Sequence, residues 1–379
     1  MFYEVKIRVM KKIIVYASIL TLMLCGCQTD KNSDKTKDEA TESVSETSQT
    51  DEELAPQIYE GDEENPSTLD IFAMDTYMNV KAYGENSYDA LILSSDEIQK
   101  LEDIFSVTNK DSEISKINNS AGNFCEVSED TSSIIKTALD YCKKTDGALD
   151  ISIYPVLREW GFTTGKYKVP DDETIKNLLK NTGYEKIETD ENKIKIPENY
   201  EIDLGSVAKG YTSDKVSEIL SENGVESALL NLGGNVQAVG SKPDGSDWKV
   251  AVVNPFDESE NLCSIKINNK AVITSGNYER YFTDDNGNKY WHIIDPKTGS
   301  PARNGIVSAT IVGEKGVMCD ALSTSLFVLG TEKAVDYWKK NGSDFEIILV
   351  SDDKEIYVSD GLTDSFENLS DMKVNIIER

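Results

Sequence analysis

Histidine is almost missing from this sequence, since His292 is the only one among 379 residues. A side chain whose unperturbed pKa lies near neutrality is therefore available at a single position. Cysteine is also scarce, and the four that follow the N-terminal pair are far apart: Cys125, Cys142, Cys263 and Cys319. Because a zinc knuckle needs closely spaced Cys and His ligands, this spacing excludes one.

Positive charge is in short supply as well. The chain has 39 Lys and Arg against 68 Asp and Glu, which gives a formal net charge of −29. So acidic a protein repels nucleic-acid backbones, and no basic patch in the sequence offsets this repulsion. We therefore expect no nucleic-acid partner, and we expect a phosphorylated ligand to require a bound cation.

No hydrophobic run is long enough for a comfortable membrane span. The apolar segment 13–24 is shorter than the about 20 residues that a spanning helix needs. Lys11 and Lys12 precede it and Leu24-Cys25-Gly26-Cys27 follows, which is the order of a bacterial lipoprotein signal and resembles a lipobox. We therefore predict a signal peptide at 1–26 and a lipid on Cys27, which would anchor the chain to the extracytoplasmic face of the cell membrane. A simple cleaved signal or an anchor helix is the alternative.

The segment 27–66 is strongly acidic and has few large apolar side chains. It contains 13 Asp and Glu against 3 Lys and Arg, interspersed with Ser and Thr. Such a composition cannot offset the entropy of ordering by burying apolar surface. The sequence therefore predicts a disordered linker over 27–66 and one folded domain over 67–379.

Within 67–379 the hydrophobic periodicity predicts more strands than helices. One strand is expected over 69–83, and helices are expected near 130–147, 206–222, 317–329 and 331–340. Asp203 is expected to end a short strand. Further strands are predicted at 226–231, 235–240, 248–254, 264–268, 271–274, 277–283, 288–294, 306–313, 345–350 and 354–358. Without regular βαβ alternation, this order predicts an α+β fold in which a mixed sheet and helices form layers.

The run from Asp203 to Gly210 lies where an extended segment meets a helix. Free N–H groups and the helix dipole favour an anion at such a helix start, and Lys209 adds a positive charge there. An ordinary capped helix with a surface lysine is an equally good interpretation of these residues.

Asp320 and Thr324 lie four residues apart in a predicted helix and therefore share one face. Two hard oxygen ligands on one face suit Mg²⁺ or Ca²⁺, with carbonyls, water or phosphate completing the coordination. Helix capping by Asp and Thr is the alternative.

His292 is predicted at the end of a strand, directly before a turn that contains Asp295 and Pro296. A lone histidine is commonly structural, but a rigid Asp-Pro turn beside it holds side chains in place. We therefore interpret His292 as a candidate site residue.

Together these runs resemble the ApbE family of FAD:protein FMN transferases, many of which are bacterial lipoproteins. The resemblance extends from Met74 to about Gly330. The segments that carry it are Met74–Tyr77, Phe105–Glu113, Gly147–Pro155, Trp160–Phe162, Asp203–Tyr211, Asn231–Gly234, Thr274–Tyr278, His292–Gly299 and Asp320–Thr324.

The resemblance implies an ApbE-like single domain with an FAD site and an Mg²⁺ site in one cleft. By matching position the metal would be held by Asp320, Thr324 and the carbonyl of Ser206. The matching FAD-lining residues are Met74, Thr108, Ala148, Leu149, Asp150, Asp203, Lys209 and Ile294. The family often has tyrosine where this chain has Thr108, so an aromatic contact with the flavin is missing here or is made by another group.

The reaction implied by the resemblance attaches FMN, taken from FAD, to a threonine of an acceptor flavoprotein and releases AMP. We expect His292 or Asp295 to assist removal of the threonine proton. Two other functions use the same residues: an FAD pyrophosphatase that yields FMN and AMP, and a flavin-binding or solute-binding lipoprotein without turnover.

Overall fold

A computed structural model describes residues 55–62 and 64–379. The signal peptide and Cys27 lie outside the described residues, as does most of the predicted linker. Within the linker range, however, Gln57–Tyr59 forms a strand that pairs with the strand beginning at Ser67. The boundary at 66 is therefore wrong, because backbone pairing to a sheet edge orders residues whose side chains alone would not.

The strands, in chain order, are β1 Gln57–Tyr59, β2 Ser67–Ala73, β3 Thr76–Tyr83, β4 Cys125–Glu126, β5 Glu188–Asp190, β6 Lys193–Lys195, β7 Ser227–Leu232, β8 Asn235–Val239, β9 Trp248–Asn254, β10 Asp257–Ile267, β11 Ala271–Gly276, β12 Tyr281–Thr283, β13 Lys289–Trp291, β14 Ile294–Asp295, β15 Ser300–Pro301, β16 Ile306–Gly313, β17 Phe345–Ser351, β18 Glu355–Ser359, β19 Phe366–Asn368 and β20 Lys373–Ile377. The helices are α1 Ser87–Phe105, α2 Glu113–Asn118, α3 Glu129–Lys144, α4 Tyr154–Glu159, α5 Asp172–Leu178, α6 Ala208–Glu222, α7 Gly316–Leu329 and α8 Thr331–Asn341.

Ten strands form one central sheet in the order β1-β2-β3-β7-β8-β11-β16-β17-β18-β20. All neighbouring strands in it are antiparallel except β18 and β20. The sheet β19-β10-β9 covers part of one face, and α7 and α8 pack on the other. Because β17 is covered on both sides, its side chains from Ile347 to Val350 are all buried, which explains a continuous apolar run instead of alternation. The predicted α+β layered fold is confirmed.

The strand predicted over 69–83 is instead a hairpin. β2 and β3 pair through Ala73 and Thr76, and the turn residues Met74 and Asp75 have φ angles of 50° and 59°. Such a turn normally selects Gly or Asn, so the sequence carries no signal for it. Asp203 likewise ends no strand, because its stretch is irregular backbone whose N–H at Asp203 donates to the Ile151 carbonyl at 2.9 Å.

The four described cysteines Cys125, Cys142, Cys263 and Cys319 form no disulfide. Among residues 55–62 and 64–379, no helix is both long and apolar enough to cross a bilayer.

Candidate active site

Helices α6 and α7 meet at two glycines, and this contact places the candidate metal ligand Asp320. A Cβ on Gly210 would collide with the Gly316 carbonyl and would lie 2.7 Å from the Asp320 Cβ. The helices also cap each other. Asp214 of α6 accepts hydrogen bonds from the N–H groups of Gly316 (2.7 Å) and Val317 (2.9 Å) at the start of α7. Asp320 of α7 accepts in return from the Gly210 N–H at 2.8 Å.

The carboxylate of Asp320 is buried, and burial raises its pKa, while the charge of Lys209 lowers it. Only Oδ2 is used by Gly210. The amide of Asn235 also lowers this pKa, yet its Nδ2 is not in hydrogen-bond geometry and has no partner among the described residues. A buried carboxylate with incomplete charge compensation is a place where a cation would be stabilised.

Hydroxyl groups complete the surroundings of Asp320. One helical turn on, the Thr324 Oγ1 lies 3.3 Å from the Ser275 Oγ, which lies 2.8 Å from the Ser323 Oγ. Ser206 lies in the turn before α6, two residues ahead of the helix start at Ala208. Within the described part of the chain, no group of three or more His, Cys, Asp or Glu side chains is arranged to hold a metal.

These donors fit a hard cation that takes most of its ligands from elsewhere. Carboxylate, hydroxyl, carbonyl and amide oxygens are the ligands that Mg²⁺ accepts, and Mg²⁺ commonly uses one or two carboxylates together with water and substrate phosphates. The amide of Asn235, turned over, would present an oxygen beside Asp320. The donor set therefore suits a magnesium ion shared with a phosphorylated ligand better than one enclosed by protein alone.

His292 follows β13 directly, and its position is fixed by the backbone of Arg280. The Arg280 carbonyl accepts from the His292 backbone N–H at 3.1 Å and lies 3.2 Å from the ring Nδ1. Since a carbonyl can only accept, Nδ1 carries the proton and Nε2 carries the lone pair. The pKa of His292 is lowered to about 3, mainly by burial and also by the charges of Arg280 and Lys209, while the hydrogen bond to the Arg280 backbone acts in the opposite direction.

The β12–β13 hairpin that carries these residues is held by aromatic packing. Phe282 stacks between Tyr167 and Tyr290, with ring centroids 5.2 Å apart in both pairs. The Arg280 Nη2 donates to the Phe162 carbonyl at 2.8 Å. This packing keeps the end of the hairpin against the segment 160–167.

Five charged side chains from separate segments lie close enough for their charges to affect neighbouring ionisable groups, and together with His292 they form the group of residues called here the cleft. The charge of Lys209 acts on Asp320, Glu279 and His292. The charge of Arg280 acts on Glu279 and His292 and also on Asp203, whose pKa is raised by burial. Glu279 is open to solvent in the cleft, yet the protein around it displaces enough water to raise its pKa to about 7.

Met74 lies on the Asp203 side of this cleft, because the charge of its turn neighbour Asp75 acts on Asp203. The Met74 N–H donates to Glu102 Oε1 at 3.1 Å, and its Sδ lies 3.7 Å from the Thr212 Oγ1. Two consecutive non-glycine residues with positive φ are costly, by about 1 kcal/mol or more each, and such strain tends to occur at functional sites.

The run from Ala148 to Asp150 is buried, and it lies beside Asp203 through the Ile151 carbonyl. The Asp150 carboxylate is fully engaged: it accepts from the N–H (2.8 Å) and Oγ (2.6 Å) of Ser152 and from the Tyr184 N–H (3.2 Å). Leu149 packs in the core. The backbone of this run is also engaged, since the N–H groups of Ala148 and Leu149 donate to the carbonyl and hydroxyl of Thr145 at 3.1 Å and 3.3 Å.

Three other predicted site residues contact neighbours outside the charged group described above. Thr108 is exposed, and its Oγ1 lies 3.1 Å from the Ser106 Oγ. Ile294 is buried in an apolar cluster with Trp160 and Phe162. Asp295 accepts from the Lys297 N–H at 2.9 Å and, among residues 64–379, makes no hydrogen bond or ion pair with His292.

Asp295 instead lines a cavity of about 330 Å³ together with Ala148 and the start of α8. A second cavity of about 420 Å³ is lined by three glutamates and contains none of the predicted site residues. The cleft residues that the sequence did not single out are Glu279, Arg280 and Asn235. Glu279 and Arg280 directly follow the recognised run that ends at Tyr278, but nothing in their local sequence marks them.

Cationic side chains beside a buried carboxylate suit a phosphate-bearing ligand that binds together with a cation. Comparisons with known proteins agree on one family. The model of the ApbE family matches residues 74–349. The chain is 33% identical over 276 residues to the FAD:protein FMN transferase of Haemophilus influenzae, covering 70% of this chain and 78% of that protein. It is also 33% identical to that of Klebsiella pneumoniae, covering 69% and 82%.

Solved structures give the same result. The ApbE protein of Thermotoga maritima superimposes with a TM-score of 0.73 at 32% identity, covering 80% of this chain and 98% of that one. The flavin transferase ApbE of Vibrio cholerae gives 0.69 at 27% identity, covering 83% and 96%. The chain belongs to the ApbE family.

Proposed function

We propose that this protein is an FAD:protein FMN transferase that attaches FMN to a threonine hydroxyl of an acceptor protein and releases AMP. The observation that carries the proposal is the convergence of Lys209, Arg280, His292 and Asp320 on one cleft. Relatives that are named for this activity and match over most of their length support it.

The cationic side chains of the cleft bind the diphosphate of FAD in this proposal. Lys209 and Arg280 attract the diphosphate, whereas Asp320 would repel it without a cation. We propose that Asp320, Thr324 and the Ser206 carbonyl hold Mg²⁺ there. Bound at this position, Mg²⁺ neutralises charge on the transferred phosphoryl group and on the leaving AMP.

His292 is placed to accept the proton of the attacking hydroxyl. Its Nδ1–H is held by the Arg280 carbonyl, which leaves Nε2 free as an acceptor. In the transfer, the threonine oxygen forms a bond to the phosphorus of the FMN half, the bond from that phosphorus to the AMP phosphate breaks, and the proton passes to Nε2. We assign the proton to His292 and not to Asp295, since the Asp295 carboxylate accepts from the Lys297 N–H in its own turn.

Product analysis separates this function from its alternatives. The purified protein is incubated with FAD, Mg²⁺ and candidate threonine-bearing extracytoplasmic flavoproteins, and flavin and nucleotide products are quantified by chromatography. AMP released in equal amount to protein-bound FMN is the expected result. Free FMN with AMP would indicate a pyrophosphatase, and intact FAD would indicate a binding protein.

We further propose that the protein acts outside the cytoplasm, held on the membrane by a lipid at Cys27. The basic, apolar and Leu-x-Gly-Cys order of the N-terminus supports this location. Cys27→Ala should abolish incorporation of a labelled fatty acid. Unchanged labelling would contradict the proposed anchor.

A further inference from the structure

Arg280 differs from the other arginines of residues 64–379. Arg158 and Arg379 are ion-paired with glutamates at 2.6 Å and 3.0 Å. Arg303 lies over the ring of Trp291, 4.2 Å from its centroid. Among residues 55–62 and 64–379, Arg280 has neither a carboxylate within ion-pair distance nor an aromatic ring beneath it.

The guanidinium of Arg280 is nevertheless anchored. Its Nη2 donates to the Phe162 carbonyl at 2.8 Å, and the backbone of the same residue is tied to His292. A guanidinium has five N–H donors, and within the described part of the chain the others have no partner. In a protein of net charge −29, an anchored arginine that has no anionic partner in the described part of the chain is available to bind an anionic ligand.

Its location relative to Lys209 is specific. Both cations act on Glu279, but the charge of Lys209 also acts on Asp320, whereas the charge of Arg280 also acts on Asp203. Both also act on His292, so the two cations flank the same residues, with Lys209 on the side of Asp320 and Arg280 on the side of Asp203.

We propose that the Arg280 guanidinium binds a phosphate oxygen of the dinucleotide substrate and fixes the diphosphate at the Asp203 end of the cleft. This inference rests on the proposed function, since it concerns how that substrate is held. The planar guanidinium fits two phosphate oxygens side by side, which a lysine ammonium cannot match. The backbone anchor at Phe162 reduces the side-chain entropy that binding would remove.

Binding of three probes tests the assignment: FAD, ADP and riboflavin, each titrated against the purified protein by flavin fluorescence or calorimetry, with Mg²⁺ and with EDTA. Arg280→Gln removes the charge and keeps an amide that can donate to the Phe162 carbonyl. A charge-assisted hydrogen bond is worth roughly tenfold or more in affinity. We therefore expect FAD and ADP to bind about tenfold or more weakly, and riboflavin to bind equally within about twofold.

Arg303→Gln is the matched control, because Arg303 also donates to a backbone carbonyl, that of Lys289, but lies over Trp291. It should leave all three affinities unchanged. Arg280→Lys keeps the charge without the planar group and should lose less FAD affinity than Arg280→Gln. If Arg280→Gln shows no cooperative thermal unfolding transition, Arg280→Lys is used in its place. FAD and ADP affinities equal to those of the unsubstituted protein would then overturn the inference.

Unchanged affinity of Arg280→Gln for FAD and ADP, with FAD bound by the unsubstituted protein, would overturn the inference and leave the proposed function standing. An equal loss for riboflavin would also overturn it, because Arg280 would then only shape the cleft. If the unsubstituted protein binds no FAD, both the inference and the proposed function fail.

Discussion

The ionisation of His292 reports directly on whether an anionic ligand enters the cleft. In the free protein, burial and the charges of Arg280 and Lys209 together lower its pKa to about 3. A bound diphosphate offsets both charges. We therefore predict that ADP binding raises the pKa of His292.

The expected size follows from Coulomb's law. A unit charge at about 7 Å in an effective dielectric of about 20 contributes roughly 2 kcal/mol, or about 1.5 pKa units. We expect ADP in EDTA to raise the pKa of His292 by about one to three units. Burial persists in the complex, so the pKa should stay below the ordinary value of about 6.5. Mg²⁺ should reduce the rise, because it cancels part of the phosphate charge.

Nuclear magnetic resonance can follow this group without assignment, because a tag-free protein has one histidine. Long-range proton–nitrogen correlation spectra identify the tautomer and the charge of the imidazole. At pH 5 an ordinary histidine is protonated, whereas His292 should be neutral with its proton on Nδ1.

A pKa of His292 near 6.5 in the free protein would refute the cleft electrostatics. A pKa that does not change when ADP binds would refute the placement of the diphosphate between Lys209 and Arg280. Chemical-shift changes of other residues on adding ADP establish that the ligand is bound in that experiment.

Three other predictions concern stability and affinity. Gly210→Ala should lower the free energy of unfolding by about 1–3 kcal/mol in denaturant titrations, because its methyl group collides with the Gly316 carbonyl; an unchanged midpoint would show that the helices separate without cost. The folded-state pKa of Glu279 is raised to about 7, so its contribution to stability is present at low pH and is lost as the pH rises through 7 in the metal-free protein. Glu279→Gln should therefore lose less stability than the unsubstituted protein between pH 5 and 8, and parallel profiles would contradict this sign. Thr108→Tyr should strengthen FAD binding about fivefold, since stacking of aromatic rings contributes about 1 kcal/mol, and unchanged affinity would place Thr108 away from the flavin.

Much of the architecture follows from sequence patterns. The predicted strands 248–254 and 306–313 coincide with β9 and β16, and the helix predicted at 317–329 is α7 within one residue. These elements are long and apolar, so local periodicity and tertiary packing favour the same structure. The turn at Met74 could not be predicted in this way, since packing forces positive φ on residues that do not prefer it.

The cleft was only partly predictable for a different reason. Asp203, Lys209, His292 and Asp320 can be named as candidates from the sequence because each lies in a recognisable run. Arg280 becomes a candidate only when three segments far apart in sequence are brought together, which no local pattern records. Conversely, Asp295 is a carboxylate close to His292 in sequence and so is a candidate for accepting the proton. Its carboxylate, however, accepts a hydrogen bond from the Lys297 N–H within the turn.

The central claim is that this cleft, with a metal at Asp320, transfers FMN to protein. Intact-mass spectrometry of an acceptor flavoprotein incubated with FAD and the purified protein tests it most directly, with Mg²⁺ or EDTA and with Asp320→Ala as the variant. The account predicts an acceptor heavier by one FMN in the presence of Mg²⁺, and no adduct with EDTA or with Asp320→Ala. An adduct that forms equally with the variant, or no adduct on any threonine-bearing acceptor under any of these conditions, would contradict it.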